Sequence, residues 1–409
     1  MLLCILTFEK IRDFSSMEPI KKILVCSAPF KEHLSSREVN LAISKGLAVG
    51  ECDIQSLQIA DGGDGTLDVF SSIYNNNVKK VTVKNPQGIK IITSYLQIKQ
   101  KAVIELAKAS GLATIQGKND ALTASTYGTG QLIRHAIDQG IRKIVICLGG
   151  SATTDCGIGI LVALGVRFYD DKGSTFQPQG GKDLLKIVSI DSEIQTNKKI
   201  EFECLCDGFS VLGGKKGAWS WAKTKGATEK DSLILKAGIE HFINLIKHQQ
   251  NKSIAILPCG GCAGGVAAGL YAFFNTKLLY GPKIIFSLIK FDTYCRNSDL
   301  VITGEGTFDE RTFEGKAVSH VLSRCRRYEK PCIVVTGRNL VSPTKWKKYG
   351  ITAVFETNED NFPLEKIRTL RLGPHFLANV GKSIVDFLKE KNLSKKNQLF
   401  FTGADAQIS

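Results

Sequence analysis

The run IVICLGGSATTDCGIG, residues 144–159, drops from five apolar side chains to bare backbone and yet keeps one aspartate. Three other glycine-rich segments follow apolar runs or open helical patterns: Asp61-Gly-Gly-Asp-Gly-Thr66, Gly260-Gly-Cys-Ala-Gly-Gly265 and Gly304-Glu-Gly-Thr-Phe-Asp309. One such cluster serves a tight turn or a helix C-cap. Four at strand-to-helix junctions call for a fold built of such junctions, an α/β sheet. Ligands of these sheets sit outside the carboxyl ends of the strands, where helix N-termini offer unpaired N–H groups to anions. Three of the four segments also carry acids, which repel phosphate unless a divalent cation intervenes. Glycine for phosphate, with carboxylate for metal or base, is the combination phosphoryl transfer requires, and a merely structural set of glycine turns is the alternative the residues alone leave open.

The rest of the chain alternates in the same way. KKILVCSA (21–28) reads as a buried strand, and Ser35 with Glu38 forms a capping box for a helix lined by Val39, Ile43 and Leu47. DIQSLQIA (53–60) is a second strand, with a helix from about Leu67. Residues 78–106, around Asn85-Pro-Gln-Gly88, read as antiparallel sheet and mark entry into an inserted domain. Helices are expected at 129–140, 157–165, 229–249, 264–275 and about 374–391, and strands at 142–148, 201–207, 299–306, 332–338 and 351–357.

At 409 residues the chain exceeds one ordinary core. The domain reading is an N-terminal extension 1–19, a first α/β domain of 20–77 plus 290–393, an inserted α/β domain 78–289, and a loose tail 394–409. The N-terminal stretch MLLCILTFEKIRDF is apolar only briefly before Glu9 and Asp13, which argues against a secretory signal and places the protein in the cytoplasm. No apolar run approaches the roughly 20 residues of a membrane span. The formal charge of +15 comes from scattered lysines without an Arg/aromatic stripe, so it suits an anionic small substrate better than nucleic acid. Among twelve cysteines, Cys204, Cys206, Cys259 and Cys262 could together offer four thiolates to zinc, but their strand and glycine settings favour plain thiols. His135, His241 and His248 lack a second histidine at ligand spacing.

The common nucleotide motifs are missing. GKS at 381–383 has Phe376 where a phosphate-loop motif needs glycine, and neither a protein-kinase set nor a G-x-G-x-x-G follows the first strand. However, ADGGDGT (60–66), ELAKASGLA (105–113), STYGTGQLI (125–133), LGGSATTDCGIGILVALG (148–165) and ITGEGTFDERTFEGK (302–316) resemble, in order, the type-1 glycerate kinase family over roughly residues 20–393. The resemblance implies transfer of the γ-phosphoryl group of ATP to D-glycerate, commonly at the 2-hydroxyl, with Mg²⁺. It also implies two α/β domains with the site in the cleft between them: a Rossmann/flavodoxin-like parallel sheet and a mixed-sheet domain inserted into it. ATP and the small acid are then the partners, nucleic acid and membrane are not, and a homodimer stays open.

Under this resemblance Gly149, Gly150, Ser151 and Thr154 would meet phosphate oxygens, as would Gly304 and Gly306. Asp155 would be a Mg²⁺ ligand or the base, with a helix N-cap as its alternative, and Asp207 a further acid. Lys31 would pair with the substrate carboxylate. Asp61, Gly62, Gly63 and Asp64 would bind substrate, with Lys316 as an anion contact; an Asx turn is the alternative for the two aspartates. Glu305 and Asp309 would hold the metal. The chain departs from the family pattern at three places. CSAPFK (26–31) has Ala28 for an aspartate; GFSVLGG (208–214) lacks an expected Asn-Pro-Leu, although Lys225, Gly226 and Ala227 survive further on; and Thr307 and Arg311 replace an Arg and a Gln. These departures leave two other readings: a kinase of another small hydroxy acid, or a catalytically weak relative that binds nucleotide or organic acid and regulates a partner.

Overall fold

The computed structural model describes residues 20–30, 34–191, 200–357 and 373–402, with 391–402 as helical backbone only. Residues 1–19, Lys31 and 403–409 lie outside the described residues. The chain opens with β1 (Lys22–Val25), α1 (Ser36–Leu47), β2 (Asp53–Ser56), α2 (Thr66–Ile73), β3 (Asn77–Lys84), β4 (Lys90–Ile98), β5 (Lys101–Glu105), α3 (Ala107–Ser110) and α4 (Tyr127–Asp138). It continues through β6 (Lys143–Leu148), α5 (Ile158–Ala163), β7 (Arg167–Tyr169), β8 (Thr175–Phe176), β9 (Ser189–Asp191), β10 (Glu201–Cys206), α6 (Glu229–Gln250), α7 (Cys262–Phe273) and β11 (Asn275–Tyr280). The last elements are α8 (Gly281–Leu288), α9 (Phe291–Asn297), β12 (Leu300–Phe308), α10 (Ala317–Arg327), β13 (Cys332–Asn339), α11 (Pro343–Tyr349), β14 (Ala353–Glu356) and α12 (Gly373–Thr402).

These elements pack as two units, divided at Ile59/Ala60 and Ile285/Phe286. The division falls ahead of the antiparallel turn at which the sequence places entry into the inserted part. The reason is local. Glu105 at the end of β5 accepts the backbone N–H groups of Gly65 and Leu67, and Leu67 is buried with Leu96, Val103 and Val145, so α2 belongs to the second unit.

The first unit is a five-stranded parallel sheet in the order β14-β13-β12-β1-β2. Its core joins Ile23, Val25, Ile302 and Val335 to Val39 and Ile43 of α1 and to Leu377, Val380 and Ile384 of α12. The capping box at Ser35 forms, with Glu38 accepting the Ser35 N–H at 2.8 Å. The final helix runs beyond residue 391 to Thr402. No proline or glycine lies between Lys382 and Thr402 to stop it, so the expected loose tail is helical that far.

The second unit holds a six-stranded mixed sheet, β11-β10-β6-β5-β4-β3, in which β11, β10, β6 and β5 pair in parallel and β4 pairs antiparallel with both β5 and β3. The β3–β4 hairpin turns at Asn85–Ile89, where the Gly88 N–H reaches the Asn85 carbonyl. A small antiparallel sheet, β8-β7-β9, lies aside. Small residues let α7 press on the segment before α5: a methyl group at Gly269 would fall 1.9 Å from the Cys156 carbonyl oxygen. Among the described residues no helix is long and apolar enough to cross a membrane, every cysteine is a free thiol, and no group of three or more His, Cys, Asp or Glu could hold a metal ion.

Candidate active site

In the second unit the ends of β6 and β10 and the loop before α2 converge. Gly149 and Gly63 meet backbone to backbone, since a methyl group at Gly149 would lie 2.3 Å from the Gly63 Cα and 3.5 Å from Asp207 Oδ2. Gly150 takes the left-handed backbone (φ +67°), and a methyl group there would lie 2.5 Å from Asp64 Oδ1. Thus Asp64 and the half-buried Asp207 flank buried Gly149 and half-buried Gly150, with the Asp64 carboxylate lying against Gly150. Asp61 is partly committed, because its Oδ1 accepts the Gly63 N–H at 3.1 Å in an Asx turn. Gly62, also left-handed (φ +97°), seats the loop against Leu205 and Gly281.

The segment ELAKASGLA is the scaffold beneath these loops. Ser110 accepts the Ala152 N–H, and Leu112 donates to the Gly150 carbonyl, so the 150–152 backbone is held as a short bridge to Gly111. At its other end Glu105 caps the first turn of α2. Burial pushes the Glu105 carboxyl from the ordinary 4.5 up to about 7, with Asp64 adding to the rise and Lys108 and the two backbone N–H groups opposing it. The folded state therefore binds more protons than the unfolded chain between about 4.5 and 7, and this group's contribution to stability declines as pH rises through that window. Urea unfolding at a series of pH values shows that decline in the wild type and a flatter profile in Glu105→Gln. Equal slopes would refute the assignment.

Asp155 is not at the open face of the loop. It is fully buried, with Oδ2 accepting the Thr126 N–H (2.9 Å), the Thr126 hydroxyl (2.8 Å) and the Gly159 N–H (3.4 Å), while Oδ1 accepts the Gly157 N–H (3.0 Å). Burial raises its pKa and these donors oppose the rise. The sequence reading offers Asp155 as a Mg²⁺ ligand or base, with a helix N-cap as the alternative; its oxygens accept these four hydrogen bonds and tie the start of α5 to the STYGTG segment. Thr154 is likewise fully buried beneath the loop, so its hydroxyl does not face outward as a phosphate contact.

A residue without a role in the sequence reading is central. Lys225 Nζ donates to Ser151 Oγ (2.8 Å) and to the Thr153 carbonyl (2.6 Å) from below the loop. The only sequence signal was its survival in a Lys-Gly-Ala triplet, which says nothing about where the side chain ends.

The first unit holds the candidates Gly304, Glu305, Gly306, Asp309 and Lys316. Gly304 and Gly306 lie in β12, within the strand expected at 299–306 and here extended to Phe308; it pairs with β13 in the register Gly304↔Val335 and Glu305↔Thr336. Gly304 is required by close strand packing, since a methyl group there would meet the Val335 carbonyl at 1.9 Å, and its own carbonyl accepts the Ala28 N–H. Its polar groups serve the sheet rather than a phosphate. Asp309, offered by the sequence as a metal ligand, is engaged by Arg311: Oδ2 accepts Arg311 Nε (3.0 Å) and Nη2 (2.7 Å), and Oδ1 accepts the Arg311 N–H. Glu305 Oε1 accepts the Thr312 hydroxyl at 2.6 Å. Lys316 is half-buried at the N-cap of α10.

Residues 23–389 match the model of the glycerate kinase family. A glycerate kinase of Bacillus cereus is 35% identical over 353 residues, 84% of this chain and 92% of that one. The glycerate 2-kinase of Escherichia coli is 33% identical over 341 residues, 82% of this chain and 90% of that one. A crystal structure from Salmonella typhimurium LT2, assigned as a glycerate kinase 2, superimposes with a TM-score of 0.70 at 32% identity, covering 91% of this chain and 100% of that one.

Proposed function

Because the chain belongs to the glycerate kinase family, we propose that it transfers the γ-phosphoryl group of ATP to a hydroxyl of D-glycerate, giving 2-phosphoglycerate. The observation that carries this reading is the meeting of two glycine loops in the second unit, Gly62–Gly63 and Gly149–Gly150, with carboxylates on either side. The half-buried Gly150 backbone suits a phosphate oxygen, and the flanking acids suit a hydroxyl nucleophile and a cation.

The residues divide the work by chemistry. Gly149 and Gly150 would receive phosphate oxygens on the backbone, with the Ser151 hydroxyl donating beside them. Asp207 would accept the proton of the attacking hydroxyl, and Asp61 would orient the acid's other hydroxyl. Mg²⁺ fits this donor set as an ion that arrives with the nucleotide: it prefers oxygen, and one or two carboxylates plus phosphate suffice without a dedicated protein cage. Asp64, against Gly150, would hold it, and bound there the ion neutralises phosphate charge.

A coupled ADP-release assay tests the proposal with D-glycerate, L-glycerate, lactate and tartrate, each with and without a Mg²⁺ chelator. The expected result is ADP release that requires D-glycerate, stops on chelation and yields 2-phosphoglycerate by phosphorus NMR. A second reading, a kinase of another small hydroxy acid, is favoured by Arg311 clamped on Asp309 where the family pattern has glutamine; turnover on a different acid alone would establish it. ATP binding without turnover on any acid would overturn both in favour of a regulatory relative.

A further inference from the structure

Lys225 is 8% exposed, and charged lysines are rarely buried without a task. Of its three N–H donors, two are committed to Ser151 Oγ and the Thr153 carbonyl. Because Ser151 Oγ accepts from Lys225, the Ser151 O–H is left to donate elsewhere. The Thr153 and Thr154 hydroxyls beside it are buried without a hydrogen-bond partner, so the layer under the loop is polar and under-satisfied. The titratable groups facing the ammonium are Asp207 at the end of β10, Asp155 before α5 and Cys262 at the start of α7.

We propose that Lys225 is the positioning residue of this anion loop: its ammonium aims the Ser151 O–H outward, and its charge, lying beneath residues 149–153, gives the loop its affinity for a polyphosphate. The inference rests on the kinase reading for the identity of the nucleotide, but its physical content concerns any chain of phosphates at this loop. Burial lowers the Lys225 pKa from 10.5 to about 8, with Asp207 and Asp155 opposing the fall, so the charge is present at neutral pH and lost in mildly alkaline solution.

The test is calorimetric titration of inorganic tripolyphosphate and of ATP into the full chain from about pH 7 to about pH 9.5, with wild type, Lys225→Arg and Lys225→Met, alongside thermal midpoints. Both ligands are fully ionised over the upper part of this range. Wild-type affinity is expected to fall about tenfold per pH unit above about 8. Lys225→Arg, whose guanidinium stays charged, keeps its affinity across the range. Lys225→Met binds about 10–100-fold more weakly at neutral pH, with no alkaline fall, yet melts no lower than wild type because the burial penalty of the ammonium is gone. A purely structural lysine would give the opposite pair of results, lower melting with unchanged affinity, and that outcome overturns the proposal, as does a flat wild-type profile. Tripolyphosphate binding without ATP binding would sink the kinase reading and leave Lys225 in place; binding of neither sinks both.

Discussion

Asp207→Asn is expected to lower kcat for phosphoryl transfer to D-glycerate by about 10²–10⁴-fold, the range for loss of the general base we propose it to be. The argument begins with placement. Asp207 follows directly on the last residue of β10, at the carboxyl end of a parallel strand where such sheets bind ligands, and its Oδ2 borders Gly149. It also faces the buried ammonium of Lys225, whose charged form it favours. Asparagine keeps the shape and loses the proton acceptor; it also removes one of the carboxylates that hold the Lys225 ammonium charged, so a rise in the KM for ATP is expected to accompany the fall in kcat. The coupled assay reads the kcat and KM effects separately. A variant within about twofold of wild-type kcat would remove Asp207 from the chemistry.

The contrast between Asp207 and Asp155 shows what a single sequence conveys about a site. Both aspartates stand near glycine at the end of an apolar run, and short-range signals treat them alike. The alternation of apolar runs with helical patterns announces the α/β class, because a strand's period and a helix cap are written within a few residues: the Ser35–Glu38 box and the Asn85–Gly88 hairpin form as their residues dictate. The approach of Gly63 to Gly149 is likewise anticipated by glycines that would otherwise be wasteful. Other facts depend on partners far along the chain. Thr126, not any neighbour of Asp155, decides that Asp155 points inward. Lys225 reaches Ser151 across a separation of 74 residues, and no local pattern reports it. GEGTF has the composition of a turn, yet register with β13 keeps it in the sheet, the glycine at 304 being what lets Val335 come close.

Asp155 is therefore the residue whose replacement separates architecture from chemistry. In Asp155→Ala the N–H groups of Thr126, Gly157 and Gly159 and the Thr126 hydroxyl lose the carboxylate that satisfies them in a dry interior. Stranding buried donors is penalised at about 1–3 kcal/mol each, with partial relaxation, so the variant is expected to lose about 4 kcal/mol of stability. That corresponds to a fall in melting temperature of roughly 10 °C for a unit of this size. Asp155→Asn keeps one acceptor but turns an amide N–H₂ toward backbone donors, and falls between wild type and alanine. Assayed well below its own melting point, the asparagine variant retains turnover within about tenfold of wild type, because the loop backbone and Asp207 are still present. The ranking wild type, Asn, Ala in thermal stability, set beside nearly preserved kcat in the Asn variant, is the signature of an anchor. A folded Asp155→Asn enzyme with wild-type melting and abolished turnover would instead return the carboxylate to the reacting phosphate, and would require the loop to turn it outward when ATP binds.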